Sequence, residues 1–502
     1  MATSRSFLRV FLLVGLVFIV FFSAEFLLEW QRLGRPGLAD LSWAGNNNAK
    51  LVDVLSPMAR AYNNILAMLL ATIGLAIPLT ANMHTPKLID MFLRDRTNQV
   101  MLTLFAFGAA HVLWADYLIG PNFAPTWSYR LATFGAILGW AALIPYFFYV
   151  VRFLDPSNII SRLKAQVTAG VERVAAGKSC IEKSRSIIHE RLHQIGTIIL
   201  KSIDRADRGV VLEGIWSLKR ILDHYGAKKG VLGEPWFRVE RSDFVGLSAE
   251  ALEIINEERT WFEHQVMRQM FLAYQSALAK STDAISSISD ATRVIATHAA
   301  ARNDDKALQV MVRYFNNYLR EAIKRKDNHA IYDLFYQYRL LGRDARERPQ
   351  LIREIGRYFR IYSELAARSG LEFIPQLAGF DLGWLVRRAY EIQSPAAADL
   401  LGQVLALDHR AANGTPLSLL VKAKIFLGGC LLEMGHPGEA GAIRRNLEDV
   451  DPRLLSSLVD EMLAVDERTF HEVTDRQINL EWVAPERRAH LRAFVEHGSQ
   501  RG

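Results

Sequence analysis

YFFYVVRFLDPSNIISRL, residues 146–163, is where the chain changes solvent. Through Leu154 it is apolar and aromatic apart from Arg152, the composition of a membrane helix ending at an interface. Asp155 and Pro156 then stop that helix and Ser157 is placed to cap another, with Ile159, Ile160, Leu163 and Val167 following at helical spacing. Toward the N-terminus lie the long apolar runs: Val10 to Leu28 with Glu25 inside, Ala61 to Met83, Thr97 to Ala115 with His111 inside, and Leu131 to Val151. Each approaches the roughly 20 residues that cross about 30 Å of hydrocarbon at 1.5 Å per residue. Toward the C-terminus no uncharged stretch comes near that length. The chain therefore reads as all-α. A four-helix transmembrane module over residues 1–154, with spans near 10–29, 61–83, 97–118 and 131–151, precedes a large cytoplasmic helical region.

Charge follows the same division. Of 60 Lys and Arg and 53 Asp and Glu, the first 154 residues hold eleven and seven, leaving 49 against 46 for the remainder. So small an excess lacks the concentrated basic face that nucleic acid requires, and no nucleic-acid partner is expected. Two cysteines, Cys180 and Cys430, exclude a disulfide framework and a thiolate zinc site, and suit a reducing compartment. Arg5 and Arg9 ahead of the first run resemble a signal peptide, but Phe22 is too large for the position that cleavage after Ala24 requires. A retained first helix is expected.

With both termini inside, the inner side collects Arg5, Arg9, Lys87, Arg94, Arg96, Arg152, Arg162 and Lys164, against Arg32, Arg35, Lys50, Arg60 and Arg130 outside. Trp30, Tyr62, Trp114, Tyr117, Trp127 and Tyr129 would form an outer aromatic belt. Between spans two and three, Thr85 can cap a helix that starts at Pro86, with Leu88, Ile89, Phe92 and Leu93 on one face and Asp90 and Arg94 four apart. Lys87, Asp90, Arg94, Asp95 and Arg96 thus mark an amphipathic elbow on the inner leaflet. Within the spans an ionisable group is costly and marks a candidate site. His111 is the deepest, a pore or gating candidate, whereas Asp116 sits near the outer interface. Pro78 and Pro145 permit kinks, and Gly74, Gly108, Gly135 and Gly139 permit close helix approach.

Beyond residue 155 helical patterns follow one another near 158–176, 179–203, 206–225, 248–280, 282–301, 305–326, 329–344, 349–368, 382–392, 396–411, 416–434, 438–448 and 453–464, with a possible extended piece at Trp236 to Val239. Residues 155–300 read as a juxtamembrane helical region and 301–502 as helical-repeat-like. Pairs such as 305–344 and 416–449 have the 34 to 40 residue period of a degenerate tetratricopeptide-like solenoid, with an irregular bundle as the alternative. Ten aromatics between Tyr314 and Tyr362 fall at spacings of three and four, which fits buried core stripes better than base-stacking platforms.

One motif resembles an active site. His189, Glu190, Arg191, Leu192 and His193 spell H-E-x-x-H, in which His189 and His193 would hold zinc and Glu190 would act as general base. Gly196 extends the match, Ile199 ends it at the third-ligand position, and Glu213 is a substitute ligand. Arg191, Lys183, Arg185 and Lys201 favour a solvated helix face.

PLTANMHTPKLIDMFLRDR (78–96), TNQVMLTL (97–104) and the opening stretch resemble a bacterial family of predicted integral membrane proteins, the domain of unknown function numbered 2254. The resemblance covers about residues 60–165. ADRGVVLEGIWSLKRIL, EERTWFEHQVMRQM and RYFNNYLREAIKRKDNHAIYDLFYQYR resemble cytoplasmic parts of a subset of relatives. It implies a multi-pass bacterial inner-membrane protein and supplies no catalytic residues. The leading expectation is a non-enzymatic membrane protein without cofactor, whose partners are the lipid bilayer and either a protein or further copies of itself. Alternatives are an oligomeric ion channel or transporter, and a zinc metallohydrolase.

Overall fold

The computed structural model describes residues 16, 19–32, 49–83, 88–119, 123–244, 246–345, 347–411, 413–471 and 476–496. Among these the regular structure is helical, with two isolated β-bridges and no strand. Contacts divide the chain into two compact units, Met1–Ile159 and Ile160–Gly502.

The first unit contains α1 (residues 19–32), α2 (Ala49–Met83), α3 (Leu88–Arg94), α4 (Arg96–Leu118) and α5 (Thr126–Leu154). Three helices among the described residues, not four, are long and apolar enough to span a membrane: Asp53–Asn82, Arg96–Leu118 and Thr126–Leu154. Of the run expected to be the first span, residues 10–15 and 17–18 lie outside the described residues. Its described part, α1, is too short to count and carries Glu25 and Glu29.

Polarity in this unit is inverted relative to a water-soluble bundle. Leu75, Leu79, Phe134, Ile144 and Phe148 face outward, while α1 turns its half-buried Phe21, Phe22, Glu25 and Phe26 inward and buries Glu29. Small residues let the long helices close up: Ala59, Ala109, Ala115, Ala132 and Ala136 form the contact layer with Leu55 and Val112. Tyr62, expected in the aromatic belt, instead fills that layer at 3% exposure. It fits because α4 and α5 present Gly108 and Gly139 to it; a methyl on Gly108 would lie 2.8 Å from the Tyr62 hydroxyl, and one on Gly139 would overlap the same ring. Gly74 and Gly135 face nothing within 4 Å, so they do not serve the close approach expected of them.

Asp155 is the single non-helical residue after α5, and its carboxylate accepts the Ser157 amide at 2.9 Å. Capping thus falls to Asp155 rather than to Ser157, and α6 (Pro156–Ala175) starts with proline at the position that needs no amide.

The second unit continues with α7 (Ile181–Asp204), α8 (Arg208–Lys228), α9 (Glu234–Phe237), α10 (Ala249–Glu258), α11 (Trp261–Ala277), α12 (Thr282–Ala301), α13 (Asp305–Arg325), α14 (Asn328–Asp344), α15 (Pro349–Arg368), α16 (Phe373–Glu391), α17 (Ala397–Leu405), α18 (Ser418–Glu433), α19 (Pro437–Asn446), α20 (Pro452–Leu463) and α21 (Arg488–Glu496). Alternate helices stack. One row runs α8, α12, α14, α16, α18; a second runs α7, α11, α13, α15, α17, α19; and α21 packs on α18 at the end. Helices α12, α14, α16 and α18 begin at residues 282, 328, 373 and 418, a step of about 45 rather than the expected 34 to 40. Side-chain links recur at the same separation, as in Arg293 to Gln337, Arg348 to Asp305, Arg353 to Asp399 and Arg360 to Gln403.

The turns explain the compact stacking. Helices α7, α12 and α13 each end on a left-handed residue (Ala206, Asn303, Lys326) followed at once by an aspartate (Asp207, Asp304, Asp327) whose carboxylate caps the next helix. The expected single helix 248–280 is broken by left-handed Arg259, with φ of 55° and no glycine or proline to announce it. Trp236 to Val239, expected to be extended, opens instead within a short helix with Pro235 in its first turn. Pro375 likewise sits inside the start of α16, which begins at Phe373 instead of residue 382, while α17 stops at Leu405, short of 411. Seven of the ten aromatics between Tyr314 and Tyr362 are buried core.

Candidate functional site

Three places carry polar chemistry. In the first unit, α4 positions His111 at 3% exposure, and its Nε2 lies 2.9 and 3.0 Å from the two carboxylate oxygens of Glu25 on α1. The imidazole is stacked on Phe22 at 5.7 Å and met edge-on by Phe21 at 5.5 Å. One turn along α1, Glu29 is buried and accepts the backbone amides of Trp127 and Ser128, so it caps α5 from another helix. Arg32 lies 3.6 Å from Glu29 and donates to the Thr126 hydroxyl at 2.8 Å. Asp116, placed by the sequence near the outer interface, is half-buried and accepts from Ser56 at 2.6 Å. Each carboxylate thus has a partner supplied by a different helix.

The elbow residues divide by role. Lys87, with Thr85 and Pro86, lies outside the described residues. Arg94 sits 3.2 Å from Asp90, both exposed, and Arg96 is exposed at the start of α4. Asp95 caps α4 through the Asn98 amide and accepts the Tyr149 hydroxyl at 2.6 Å. Leu88 and Phe92 are buried, Phe92 against Phe153, whereas Ile89 and Leu93 face outward.

In the second unit, α7 holds the H-E-x-x-H residues. His189 is half-buried, its Nδ1 has no hydrogen-bond partner among the described residues, and burial lowers its pKa against the opposing pull of Asp243. His193 is exposed, and Glu190 lies 3.7 Å from Arg191 and accepts from Gln194. Glu213 is held by Arg220 at 2.8 Å and Ser217 at 3.0 Å. Among the described residues no group of three His, Cys, Asp or Glu side chains is placed to hold a metal ion.

The third place was not anticipated. A cavity of about 550 Å³ lies between α14, α16, α18, Arg468 and the returning segment 476–487. Its charged lining is Arg339, Arg343, Arg387, Arg468, Arg476 and Arg487 against Glu486. Asp381, fully buried and outside the lining, takes two of these arginines: Arg339 at 3.2 Å, and Arg476, which also donates to the Tyr332 carbonyl at 3.3 Å. Both guanidiniums lie over aromatic rings, Arg476 over Tyr332 at 3.9 Å and Arg339 over Trp384 at 5.3 Å. Burial lowers the Arg339 pKa, with Asp381 opposing. Periodicity could not reveal this site, because its residues come from elements up to 150 positions apart. Glu25 did leave a signal, being the lone charge in one apolar run as His111 is in another.

Residues 4–196 match the family described as "Predicted membrane protein (DUF2254)", which bears out the resemblance over the N-terminal part of the chain. No curated protein matches. A solved structure described as "Circular tandem repeat protein with novel repeat topology and enhanced subunit contact surfaces" is 12% identical over 90% of this chain and 95% of its own, with a TM-score of 0.34, too low to indicate a shared fold.

Proposed function

Because residues 4–196 match a family of predicted membrane proteins, we propose a multi-pass inner-membrane protein whose helical region, residues 155–502, faces the cytoplasm and binds a protein partner or further copies of itself, without catalysis or cofactor. The stacked helices form a solenoid of two-helix repeats of about 45 residues, longer than a tetratricopeptide. One observation carries the reading: α14, α16 and α18 line a cavity rich in arginine and aromatic side chains, and an adjoining cavity on α12, α14 and α16 shares Arg343, Trp384 and Arg387 with it. A photo-crosslinking residue at position 343, in both linings, tests it in living cells. A discrete adduct, hetero or homo, is expected, and its absence under conditions that cross-link a known complex would count against partner binding.

A second reading, an oligomeric channel or transporter, draws on the Glu25–His111 pair. A carboxylate within hydrogen-bond distance of an imidazole in an apolar setting is the kind of pair from which proton paths are built. Reconstituted protein should then dissipate a pH gradient across vesicles, and Glu25→Gln or His111→Gln should slow it at least tenfold. Leakage no faster than through empty vesicles would dispose of this reading.

A further inference from the structure

We propose that the arginine-lined groove of the second unit takes an extended, acidic peptide segment of a protein partner. Its carboxylates would meet Arg343, Arg387 and Arg468, and its apolar side chains would lie against Trp384, Phe426 and Trp482. This rests on the partner-binding reading and narrows it to one chemistry.

Charge is the first argument. Six arginines and one glutamate line the central cavity, and two of those arginines share the single carboxylate of Asp381. Arg343 pairs with Asp344, Arg387 with Glu391 and Arg487 with Glu433 at the rim. Such partly exposed pairs are worth little and can be exchanged for a ligand's carboxylates at small cost. Exposed Arg468 lies over Trp482, 5.6 Å from its ring.

Length is the second. A neighbouring cavity of about 1110 Å³ shares Arg343, Trp384 and Arg387 with the first and reaches α12; its lining adds Arg348 and Arg388 against Asp344, Glu347 and Glu391, so the cationic stretch is the part on α14, α16 and α18. From α12 to α18 there are three interhelix steps of about 8–10 Å, or roughly 27 Å, the reach of about eight residues at about 3.4 Å each. A small anion would leave most of that length empty. The floor between the charges is apolar, formed by Ala423, Phe426 and Leu427, which suits alternate side chains of an extended chain.

The third argument is internal. The non-helical segment 476–484 already lines this face, with Arg476 inserted between Asp381 and the Tyr332 ring. The helices therefore accept irregular backbone, and the internal segment satisfies Asp381 while leaving the outer cations to another chain.

The test uses the full-length protein in phosphatidylcholine nanodiscs and a fluorescein-labelled eight-residue peptide of alternating Asp and Leu, with a Lys–Leu twin as control and empty nanodiscs subtracted. Fluorescence anisotropy should show saturable binding of the acidic peptide alone. Arg343→Glu and Arg468→Glu, both at half-exposed or exposed positions and each checked for folding by circular dichroism, should weaken it at least tenfold. Equal binding of the two peptides, insensitivity to both variants, or no binding at millimolar peptide would overturn the proposal. Any of these together with a discrete cross-linked adduct from position 343 would remove only the acidic assignment; without an adduct, partner binding falls too.

Discussion

The ammonium of Lys424 is fully buried on α18, donating to the Leu407 carbonyl and the Asn446 side chain at 2.7 Å each and meeting His409 Nδ1 at 3.3 Å. Burial pulls its pKa from 10.5 down to about 8, with Asp408 and Asp449 opposing. Below about pH 8 both folded and unfolded chains carry the proton, and the burial cost is fully present. Between about pH 8 and 10.5 the unfolded chain binds more protons, so stability rises with pH by roughly 3 kcal/mol in total. Thermal unfolding of wild type and Lys424→Met from pH 7.5 to 10 should show the wild type gaining on the variant as pH rises; parallel curves would refute the assignment. Lys229 illustrates the opposite balance. It is half-buried, but Glu263 at 2.6 Å and Asp304 at 2.8 Å outweigh the desolvation, and its pKa is raised. A buried cation therefore weakens or strengthens the fold according to whether carboxylates or neutral acceptors meet it.

At the scale of elements, α5 offers a contrast within four residues. Gly139 faces the Tyr62 ring, whereas Gly135 has open space. Gly139→Leu should therefore cost about 1–3 kcal/mol or more by overpacking the layer shared by α2, α4 and α5. Gly135→Leu should leave the melting temperature in detergent within a degree or two of wild type, and equal effects at both positions would contradict the packing. These glycines also mark what the sequence could reveal. Apolar runs announced α2, α4 and α5 because a span needs little more than length and hydropathy. Helical spacing bounded by glycine, proline and asparagine breakers announced most later helices, because those residues have a local reason to interrupt a helix. Which glycine meets a ring, or which carboxylate meets His111, depends on how each helix is rotated about its axis. That rotation is fixed by packing between distant segments, and no local pattern encodes it. The left-handed Arg259 that divides α10 from α11 escaped for a related reason, since buried Thr260 and Trp261 hold that turn in the absence of a glycine.

For the whole molecule, one exposed thiol provides a test of the proposed orientation. Cys180 is exposed and Cys430 buried, its pKa pushed up to about 11 by burial. A membrane-impermeant maleimide should leave the protein unlabelled in intact cells and modify Cys180 alone once the inner membrane is permeabilised. Labelling of intact cells would place residue 180 outside and reverse the assignment.

In a stack where each helix pair touches only its neighbours, the free end is ordinarily the place where unzipping starts. Here Arg476 returns from beyond α20 to grip Asp381 on α16 and the Tyr332 carbonyl on α14, and α21 locks onto α18. These last helices are thereby latched to the middle of the stack, so they should resist fraying and proteolytic trimming until that one guanidinium lets go.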